Sequence, residues 1–577
     1  MELKMGHDNY KKLWLVYLIP LVAAVTVRLI LFSSWLESPF KCYHKISGLD
    51  MKTVLSLATS FCEGKSEFSI YKLLFCSVSV CGGGAVALVL CQIVLGVITT
   101  LLITYSTLVI FRNRTVAVTS GILAALYSPE LMYESMTLIE SVFVFTAALS
   151  LATMARFTRN PSSRTWQFLA GAAAALPALV RFSGLPWMLV SLGFIIWFGM
   201  RHAKKTTLRI PTAPICLPLV GLVAILIPVS IFNAIRISNL NPIPAFPKSS
   251  YVLRAGADVE FSSHAVAPKP LLPDSGRDIV RIVENYTGKL LYLFKAYEIP
   301  DNLNYYFIRE YLKPLKFMPG PLFLIPFATL GMIILLFHRR DCGSRALLLL
   351  YIASFAIPMV VFIPLGRYRL ILLPAMCAFA GYSITYLVCN LIHFRKRLVA
   401  LLVLAVAYSS LFIFASPKKI IMRAEDFVAY GNAMELAGGY DNEDIGNCYR
   451  IAYAMNPGSA STVINHANHL MRNSQFSEAE KVLGMLFREN PANPTVAINY
   501  ASSLLGTGRP AEAEKLLMGI PEPESRSSKV NYYYQLGESR RMQGKNAEAR
   551  ICYELALTNS DNDSQKKAVN AAMMRLK

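Results

Sequence analysis

Long apolar runs dominate the first 416 residues of this chain. A helix needs about 20 apolar residues to cross the hydrocarbon core of a bilayer, and runs close to that length recur through the first 416 residues. The sequence predicts eleven membrane spans, at 13–35, 85–111, 116–132, 137–155, 166–180, 184–200, 212–233, 320–337, 346–363, 368–391 and 398–416. We therefore expect an all-α fold with a polytopic helical membrane domain over 1–416.

The composition agrees with this prediction and excludes an ordinary soluble enzyme. Hydrophobic residues make up 54% of the chain and charged residues 16%, whereas a soluble domain has about 25% charged residues. The first apolar run is too long for the core of a signal peptide and has no small-residue cleavage site, so we expect it to remain as the first span.

The basic residues predict how the chain is oriented in the membrane. The net charge is +21, and nearly all of the excess lies in the first 416 residues. Lys and Arg cluster at every second junction between spans, namely at 4–12, 112–114, 156–164, 201–209, 339–345 and 395–397. Loops rich in Lys and Arg face the cytoplasm, and contact with anionic membrane lipids also fits this charge. We predict a multi-pass inner (plasma) membrane protein and no nucleic-acid partner.

We expect the two large loops, 36–84 and 234–318, and the C-terminal tail to lie on the opposite side of the membrane. This placement of the tail outside the cytoplasm depends on an odd number of spans, and one span fewer would reverse it. That side of the membrane is an oxidising space, in which a Cys42–Cys62 disulfide bridge can form. The chain has no Cys-x-x-Cys pair, so neither a zinc ribbon nor a thioredoxin-type site is indicated.

A short pattern recurs in the C-terminal tail, residues 417–577. Phe476-Ser477-Glu478-Ala479-Glu480 is followed 34 residues later by Pro510-Ala511-Glu512-Ala513-Glu514, and again 36 residues later by Asn546-Ala547-Glu548-Ala549-Arg550. A period of 34 residues is typical of tetratricopeptide repeats, in which each unit contributes two helices. The tail is therefore predicted to be an α-solenoid. It would bind a protein or peptide partner or, alternatively, pack against the membrane domain.

Two carboxylates are candidates for chemistry at the outer face. Asp50 begins an amphipathic stretch in the first outer loop, where it would serve as a general base or simply cap a helix. Glu140 lies near the start of an otherwise apolar span, and carboxylates inside a membrane are usually functional. The alternative for Glu140 is a structural pairing with an arginine such as Arg28.

Three arginines lie at the outer ends of predicted spans, where the positive-inside trend does not account for them. They are Arg181, Arg367 and Arg369. A guanidinium group matches phosphate oxygens in charge and geometry, which suggests a lipid phosphate in an outer cleft. Extension of these side chains to the lipid headgroups is the alternative.

These elements, in this order, resemble the polytopic type C glycosyltransferases, in particular bacterial relatives of protein O-mannosyltransferases and of the 4-amino-arabinose transferase for lipid A. The resemblance covers about residues 1–395. The matching positions are Arg28, Gly48-Leu49-Asp50, Ala58, Glu63-Gly64, Ser128-Pro129, Glu140-Ser141, Arg181-Phe182-Ser183-Gly184-Leu185, Gly366-Arg367-Tyr368-Arg369, Pro374 and Ala380-Gly381-Tyr382. The chain departs from the family pattern at Met51, which follows Asp50 where a second acid is common, and at Phe182, which replaces a proline.

The resemblance implies an inverting transfer of one sugar from a polyprenyl-phosphate donor to an acceptor on the outer face. Asp50 would be the catalytic base, Arg367 or Arg369 would hold the leaving phosphate, and Glu140 and Arg181 would shape the substrate site. No cofactor is assigned, and a divalent metal ion is compatible with the chemistry. Two other functions stay open: an inactive membrane scaffold with a protein-binding tail, and a glycan polymerase or ligase.

Overall fold

The computed structural model describes residues 13–205, 213–243, 283, 286–337, 342–361, 365–392, 422–560 and 563–576. The described residues are 81% helical and contain no strand. The prediction of an all-α protein with a helical membrane domain and a repeat tail is therefore confirmed. The chain divides into two compact units, Met1–Ile421 and Met422–Lys577.

The first unit begins with ten helices, connected in part by short turns. They are α1 (Leu13–Glu37), α2 (Asp50–Cys62), α3 (Ile70–Val80), α4 (Ala85–Phe111), α5 (Arg114–Leu126), α6 (Ser128–Glu134), α7 (Glu140–Arg159), α8 (Arg164–Val180), α9 (Leu185–Lys205) and α10 (Ala213–Ile237). The later described helices of this unit are α11 (Tyr305–Tyr311), α12 (Pro321–Phe337), α13 (Cys342–Val361), α14 (Gly366–Arg369) and α15 (Leu373–Ile392).

Within the described residues, seven helical stretches are long and apolar enough to cross a membrane. They are Trp14–Glu37, Ala85–Phe111, Glu140–Arg159, Phe182–His202, Cys216–Ile237, Lys313–Leu336 and Gly366–Cys389. The predicted span 116–132 is instead two helices, α5 and α6, bent by 50°. The bend falls at Tyr127, whose backbone is extended (φ −66°, ψ 108°) just before Pro129 in the first turn of α6. Counted as one broken span, this pair would be the eighth.

Two further predicted spans form helices that are shorter or less uniformly apolar. The stretch predicted at 166–180 forms α8, which has 17 residues, and the one predicted at 346–363 lies in α13, which has 20 residues and whose apolar part is Arg345–Val361. A helix of 17 residues is about 25 Å long, at the lower end of the lengths that cross a bilayer. The span predicted at 398–416 lies outside the described residues.

Helix α7 lies at the centre of the membrane unit. It contacts α4, α8, α9, α13 and α15. Of its apolar segment, 78% is buried inside the protein, against 28% for the segment Cys216–Ile237 in α10. Small buried residues such as Ala147, Ala148 and Ala152 permit this close packing. Because Glu140 is the first residue of α7, its carboxylate is held inside the protein rather than against lipid.

The cysteines of the first outer loop do not form the bridge that the sequence allows. Cys42 is buried, Cys62 is half-buried, and both are free thiols. The Cys62 thiol instead lies close to that of Cys76 in α3, because α2 packs against α3.

The second unit is built from helical pairs. Its described helices are α16 (Ala424–Ala437), α17 (Asn442–Met455), α18 (Ala460–Arg472), α19 (Phe476–Glu489), α20 (Pro494–Gly506), α21 (Pro510–Met518), α22 (Arg526–Met542), α23 (Asn546–Asn559) and α24 (Asp563–Met573). The repeat alanines Ala479, Ala513 and Ala549 are fully buried. Gly508 and Gly544 adopt φ of +75° and +79° in the turns within two of the pairs, a conformation that favours glycine. The predicted repeat fold is confirmed.

Candidate active site

The site is centred on an ion pair between the first outer loop and α14. Arg367 Nη1 donates a hydrogen bond of 2.5 Å to Asp50 Oδ2. Leu49 occupies the N-cap position of α2, and Asp50 is the first helical residue. The helix-cap alternative for Asp50 is therefore wrong, because another residue holds that position and the carboxylate bonds to a distant arginine instead.

A second carboxylate reaches the same guanidinium. Arg367 Nε lies 2.8 Å from Asp301 Oδ2, and Arg367 Nη2 donates to the Tyr368 hydroxyl at 3.1 Å. The side chain of Arg367 is 16% exposed and that of Asp50 is 36% exposed. Asp50 is thus the more accessible partner, and the arginine is fixed in orientation from several sides.

Asp50, Asp301 and Arg367 line one small cavity. Its other lining residues are Leu49, Met51, Tyr133, Leu138, Asn302 and Leu303. These residues come from four distant segments: the start of α2, the stretch from α6 to α7, the loop before α11, and α14. The cavity thus combines two acids, an arginine, an asparagine and a tyrosine with apolar side chains.

The structure brings Arg181 and Glu140 to the same region. Arg181 follows α8 in an extended conformation (φ −153°, ψ 141°), and its Nη1 lies 3.5 Å from Glu140 Oε1. The Arg181 guanidinium also stacks 4.2 Å from the centroid of the Tyr368 ring, while that of Arg367 lies 5.0 Å from the same centroid. Tyr368 therefore joins two of the predicted site arginines.

Glu140 retains an unsatisfied oxygen. Its Oε2 is buried and has no hydrogen-bond partner within the part of the chain that the structure describes. The suggested pairing of Glu140 with Arg28 is wrong, because Arg28 bonds to Glu134 through two hydrogen bonds of 2.7 Å. Both members of the Arg28–Glu134 pair are 1% exposed. Glu140 is thus free to orient Arg181.

Arg369 occupies a different environment from Arg367. It is buried and donates to the carbonyl oxygens of Tyr292, Lys295 and Tyr297 at 3.2, 2.5 and 2.9 Å. Its Nη2 also lies 2.7 Å from Glu298 Oε1. Arg369 does not line the cavity that contains Arg367. Its contacts instead fix the loop that leads to Asp301.

Glu298 is the acidic partner of Arg369 in that loop. Burial raises the pKa of the Glu298 carboxyl, and the charge of Arg369 acts in the opposite direction. A Cβ at Gly366 would lie 2.4 Å from Glu298 Oε2. The glycine before Arg367 is therefore needed so that the loop can approach α14 closely.

Sequence reasoning missed several residues of this site. Asp301, Tyr133 and Tyr368 were not predicted, although Tyr368 stands between two predicted arginines in the sequence. Asp301 offered no comparable signal, because a single aspartate in a long outer loop is ordinary. Among the described residues, no group of three or more His, Cys, Asp or Glu side chains is arranged to hold a metal ion.

Two family models match the chain. The model for dolichyl-phosphate-mannose-protein mannosyltransferases matches residues 72–231, and a tetratricopeptide-repeat model matches residues 470–531. The first match includes Tyr133, Glu140 and Arg181 but neither Asp50 nor Arg367. A comparison with curated proteins found no match.

Among solved structures, the chain is similar to the Archaeoglobus fulgidus oligosaccharyltransferase in its apo form, with 13% identity and a TM-score of 0.40. The similarity covers 76% of this chain, which spans 58% of the length of that protein. The apolar helices and the mannosyltransferase match together support a membrane glycosyltransferase. The resemblance drawn from the sequence agrees with both family matches.

Proposed function

We propose that this protein transfers a sugar from a polyprenyl-phosphate donor to an acceptor hydroxyl at the outer face of the membrane, with inversion at the anomeric carbon. The observation that supports this most strongly is the Asp50–Arg367 pair at one cavity. A general base and a phosphate-binding cation are the two groups that such a transfer needs.

In the structure, Arg367 donates a hydrogen bond to the Asp50 carboxylate. An arriving donor phosphate competes for the same guanidinium fork, because phosphate and carboxylate oxygens have similar geometry. The exchange releases Asp50 toward the acceptor. The proposed base and the phosphate-binding arginine thus stay paired with each other until the donor is bound.

The reaction then proceeds by a single displacement. Asp50 accepts the proton of the acceptor hydroxyl while the acceptor oxygen attacks the anomeric carbon from the face opposite the phosphate. The bond from that carbon to the phosphate oxygen breaks, and the phosphate leaves with the electron pair. Arg367 stabilises the charge that grows on the leaving group. Attack from the opposite face gives inversion.

Neighbouring side chains position these two groups. Arg181, held by Glu140 and stacked on Tyr368, adds positive charge beside Arg367 and serves as a second contact for the donor. Arg369 positions the loop that includes Asp301. We assign the phosphate to Arg367 rather than to Arg369, whose donors are already engaged by backbone carbonyls.

The repeat tail lies outside the cytoplasm in this proposal, on the same side as the cavity, where it binds a protein or peptide partner. The support is the alternation of basic clusters along the membrane domain. A reporter enzyme fused after residue 577 that is active only in the cytoplasm would contradict this orientation.

Transfer by the purified protein in liposomes tests the proposal. Radiolabelled polyprenyl-phosphate sugars are supplied as donors, and label is followed into protein, lipid and glycan acceptors. Asp50→Asn should abolish transfer while expression and folding stay normal, and Glu310→Gln, an exposed acid in the other outer loop, should keep it. Normal turnover by Asp50→Asn would refute the assignment of the base.

A further inference from the structure

Two cysteines of the first outer loop are brought together by the packing of α2 against α3. Cys62 is the last residue of α2, and Cys76 lies in the second turn of α3. The two thiols lie close to each other, and both are half-buried, so each is partly accessible to solvent. We call α2, α3 and the turn between them, residues 50–80, the outer helix pair.

The outer helix pair has a small apolar core of its own. Of the thirteen residues of α2, the buried ones are Met51, Ala58 and Phe61, and Tyr71 is the buried residue of α3. Elements that bury little apolar surface commonly depend on disulfide bridges in oxidising compartments. A covalent link between the two helices would therefore supply stability that burial does not.

The turn between the two helices is anchored to α10. The backbone N–H of Phe68 donates to Asn233 Oδ1 at 2.8 Å, and the Phe68 ring lies 5.8 Å from that of Phe232. Phe61, which precedes Cys62, packs on the same Phe232 ring at 5.7 Å. These contacts fix the spacing of α2 and α3 beside Cys62, so the meeting of the two thiols does not depend on a free loop.

We propose that Cys62 and Cys76 form a disulfide bridge when the protein is in its membrane. The bridge closes a loop of 15 residues, 62–76, and ties α2 to α3. Because Asp50 is the first residue of α2, the bridge also restricts the helix that presents the proposed base. The inference rests on the proposed orientation, in which the first outer loop faces an oxidising space, and it does not depend on sugar transfer.

The bridge forms by two thiol–disulfide exchange steps, with a small-molecule or protein disulfide as the oxidant. Burial, and after it the neighbouring Cys76, raises the pKa of Cys62 to about 11. Cys62 thus stays a thiol at neutral pH, and the thiolate is the attacking form, so Cys76 reacts first.

In the first step the Cys76 sulfur loses its proton, attacks the oxidant and displaces one of its sulfurs as a thiol, which leaves a mixed disulfide. In the second step the Cys62 sulfur loses its proton, attacks the Cys76 sulfur and displaces the other half of the oxidant as a second thiol. Two electrons and two protons have then passed to the oxidant. The mixed disulfide removes the Cys76 thiol that helps to hold the proton on Cys62, which favours the second step.

Peptide mapping of the full-length protein tests the proposal. The protein is isolated from cells in the presence of an alkylating agent and digested with trypsin without reductant. Lys65 and Lys72 lie between the two cysteines, so cleavage separates Cys62 from Cys76 unless they are bridged. We expect one linked species before reduction and two separate peptides after it.

Control variants identify the partner of Cys62. The tryptic peptide that contains Cys76 also contains Cys81 and Cys91. The double variant Cys81→Ser/Cys91→Ser should therefore keep the linked species, and Cys76→Ser should lose it. A link from Cys62 to Cys81 or Cys91 in the wild-type protein would overturn the proposal.

Thermal unfolding in detergent provides a second readout. Cys62→Ser and Cys76→Ser should each lower the melting temperature by about 3–6 °C. The double variant should lose no more than either single variant, because both substitutions remove the same bridge. Cys81→Ser, at an exposed cysteine just after α3, should melt like the wild type.

Recovery of Cys62 and Cys76 as alkylated thiols from the wild-type protein would overturn the proposal. Incubation of that protein with oxidised glutathione would then locate the fault. A bridge formed only in that incubation would show that the first outer loop does not face an oxidising space, whereas no bridge would show that the two sulfurs cannot meet. Sugar transfer is measured separately in liposomes, so its failure would leave a mapped bridge standing.

Discussion

Asp50 and Arg367 are separated by 317 residues in the sequence, and their side chains meet at 2.5 Å. One stands at the start of α2 and the other in α14, next to Asp301 from a third segment. The pair joins the two groups that sugar transfer requires, and it leaves Asp50 the more exposed of the two. The site is therefore assembled by the fold and is not contained in any local motif.

Replacement of Arg367 should damage both donor binding and turnover. We expect Arg367→Lys to lose activity nearly as severely as Arg367→Ala, with kcat/KM reduced about a hundredfold or more, because a lysine cannot reproduce the planar fork. Steady-state kinetics with a purified lipid-linked sugar would show this. Lys313→Ala, an exposed cation of the same outer loop region, should behave as the wild type. Full activity of the Arg367→Ala variant would contradict the assignment of the donor phosphate to Arg367.

Arg369 should affect stability more than chemistry. Arg369→Met leaves Glu298 and three carbonyl groups without their donor, and loss of one partner of a buried pair costs about 3–5 kcal/mol. Thermal unfolding in detergent and proteolysis of the loop at 292–298 measure this loss. The double variant Arg369→Met/Glu298→Gln should recover part of it. A variant with normal stability and a raised KM for the donor would instead place Arg369 at the substrate.

A glycine in α4 makes room for the buried Arg28–Glu134 pair. A Cβ at Gly96 would lie 2.0 Å from Glu134 Oε1, whereas a Cβ at Gly193 in α9 would meet nothing within 4 Å. We therefore expect Gly96→Ala to destabilise the protein by about 1–3 kcal/mol or more and Gly193→Ala to be neutral. Thermal unfolding of the two variants side by side provides the comparison. Equal melting temperatures would show that Glu134 can move.

The repeat tail should lose an ionic contribution to its stability in acid. Hydrogen bonding by Lys545 and Arg540 lowers the pKa of Glu514 from 4.5 to about 2. The folded state thus favours the carboxylate, so its contribution is present above pH 4.5 and is lost as the pH falls toward 2. Glu514→Gln should destabilise the tail at pH 7 and have little effect near pH 2. Hydrogen exchange of the full-length protein at both pH values, with exposed Glu524→Gln as the control, measures this difference.

Much of the architecture follows from the sequence because it depends on local patterns. Apolar runs predict spanning helices, and a 34-residue period predicts helical pairs, so both survive in the structure. The number of spans does not follow so directly. Helix α8 has only 17 residues, at the lower end of the lengths that cross a bilayer, and the predicted span 116–132 is divided at Tyr127 into two helices.

The site is predictable only in part. Arg181 and Arg367 were identifiable because a charge at the outer end of an apolar run requires a reason, and Asp50 because it begins an amphipathic stretch in the first outer loop. Their partners were not identifiable, since the choice between Glu134 and Glu140 for Arg28 depends on which helix faces it. Arg367 and Arg369 are alike in sequence context. Only the three-dimensional structure shows that Arg367 lines the cavity, whereas the guanidinium of Arg369 is hydrogen-bonded to backbone carbonyls of a loop.

The central claim is that the donor phosphate binds Arg367 and displaces Asp50. A cryo-electron microscopy structure of the protein with a polyprenyl-phosphate sugar tests it most directly. We predict density for the phosphate within hydrogen-bond distance of the Arg367 guanidinium, with the 2.5 Å contact to Asp50 broken. Phosphate density elsewhere in the membrane unit, with the Asp50–Arg367 pair still intact, would contradict the account.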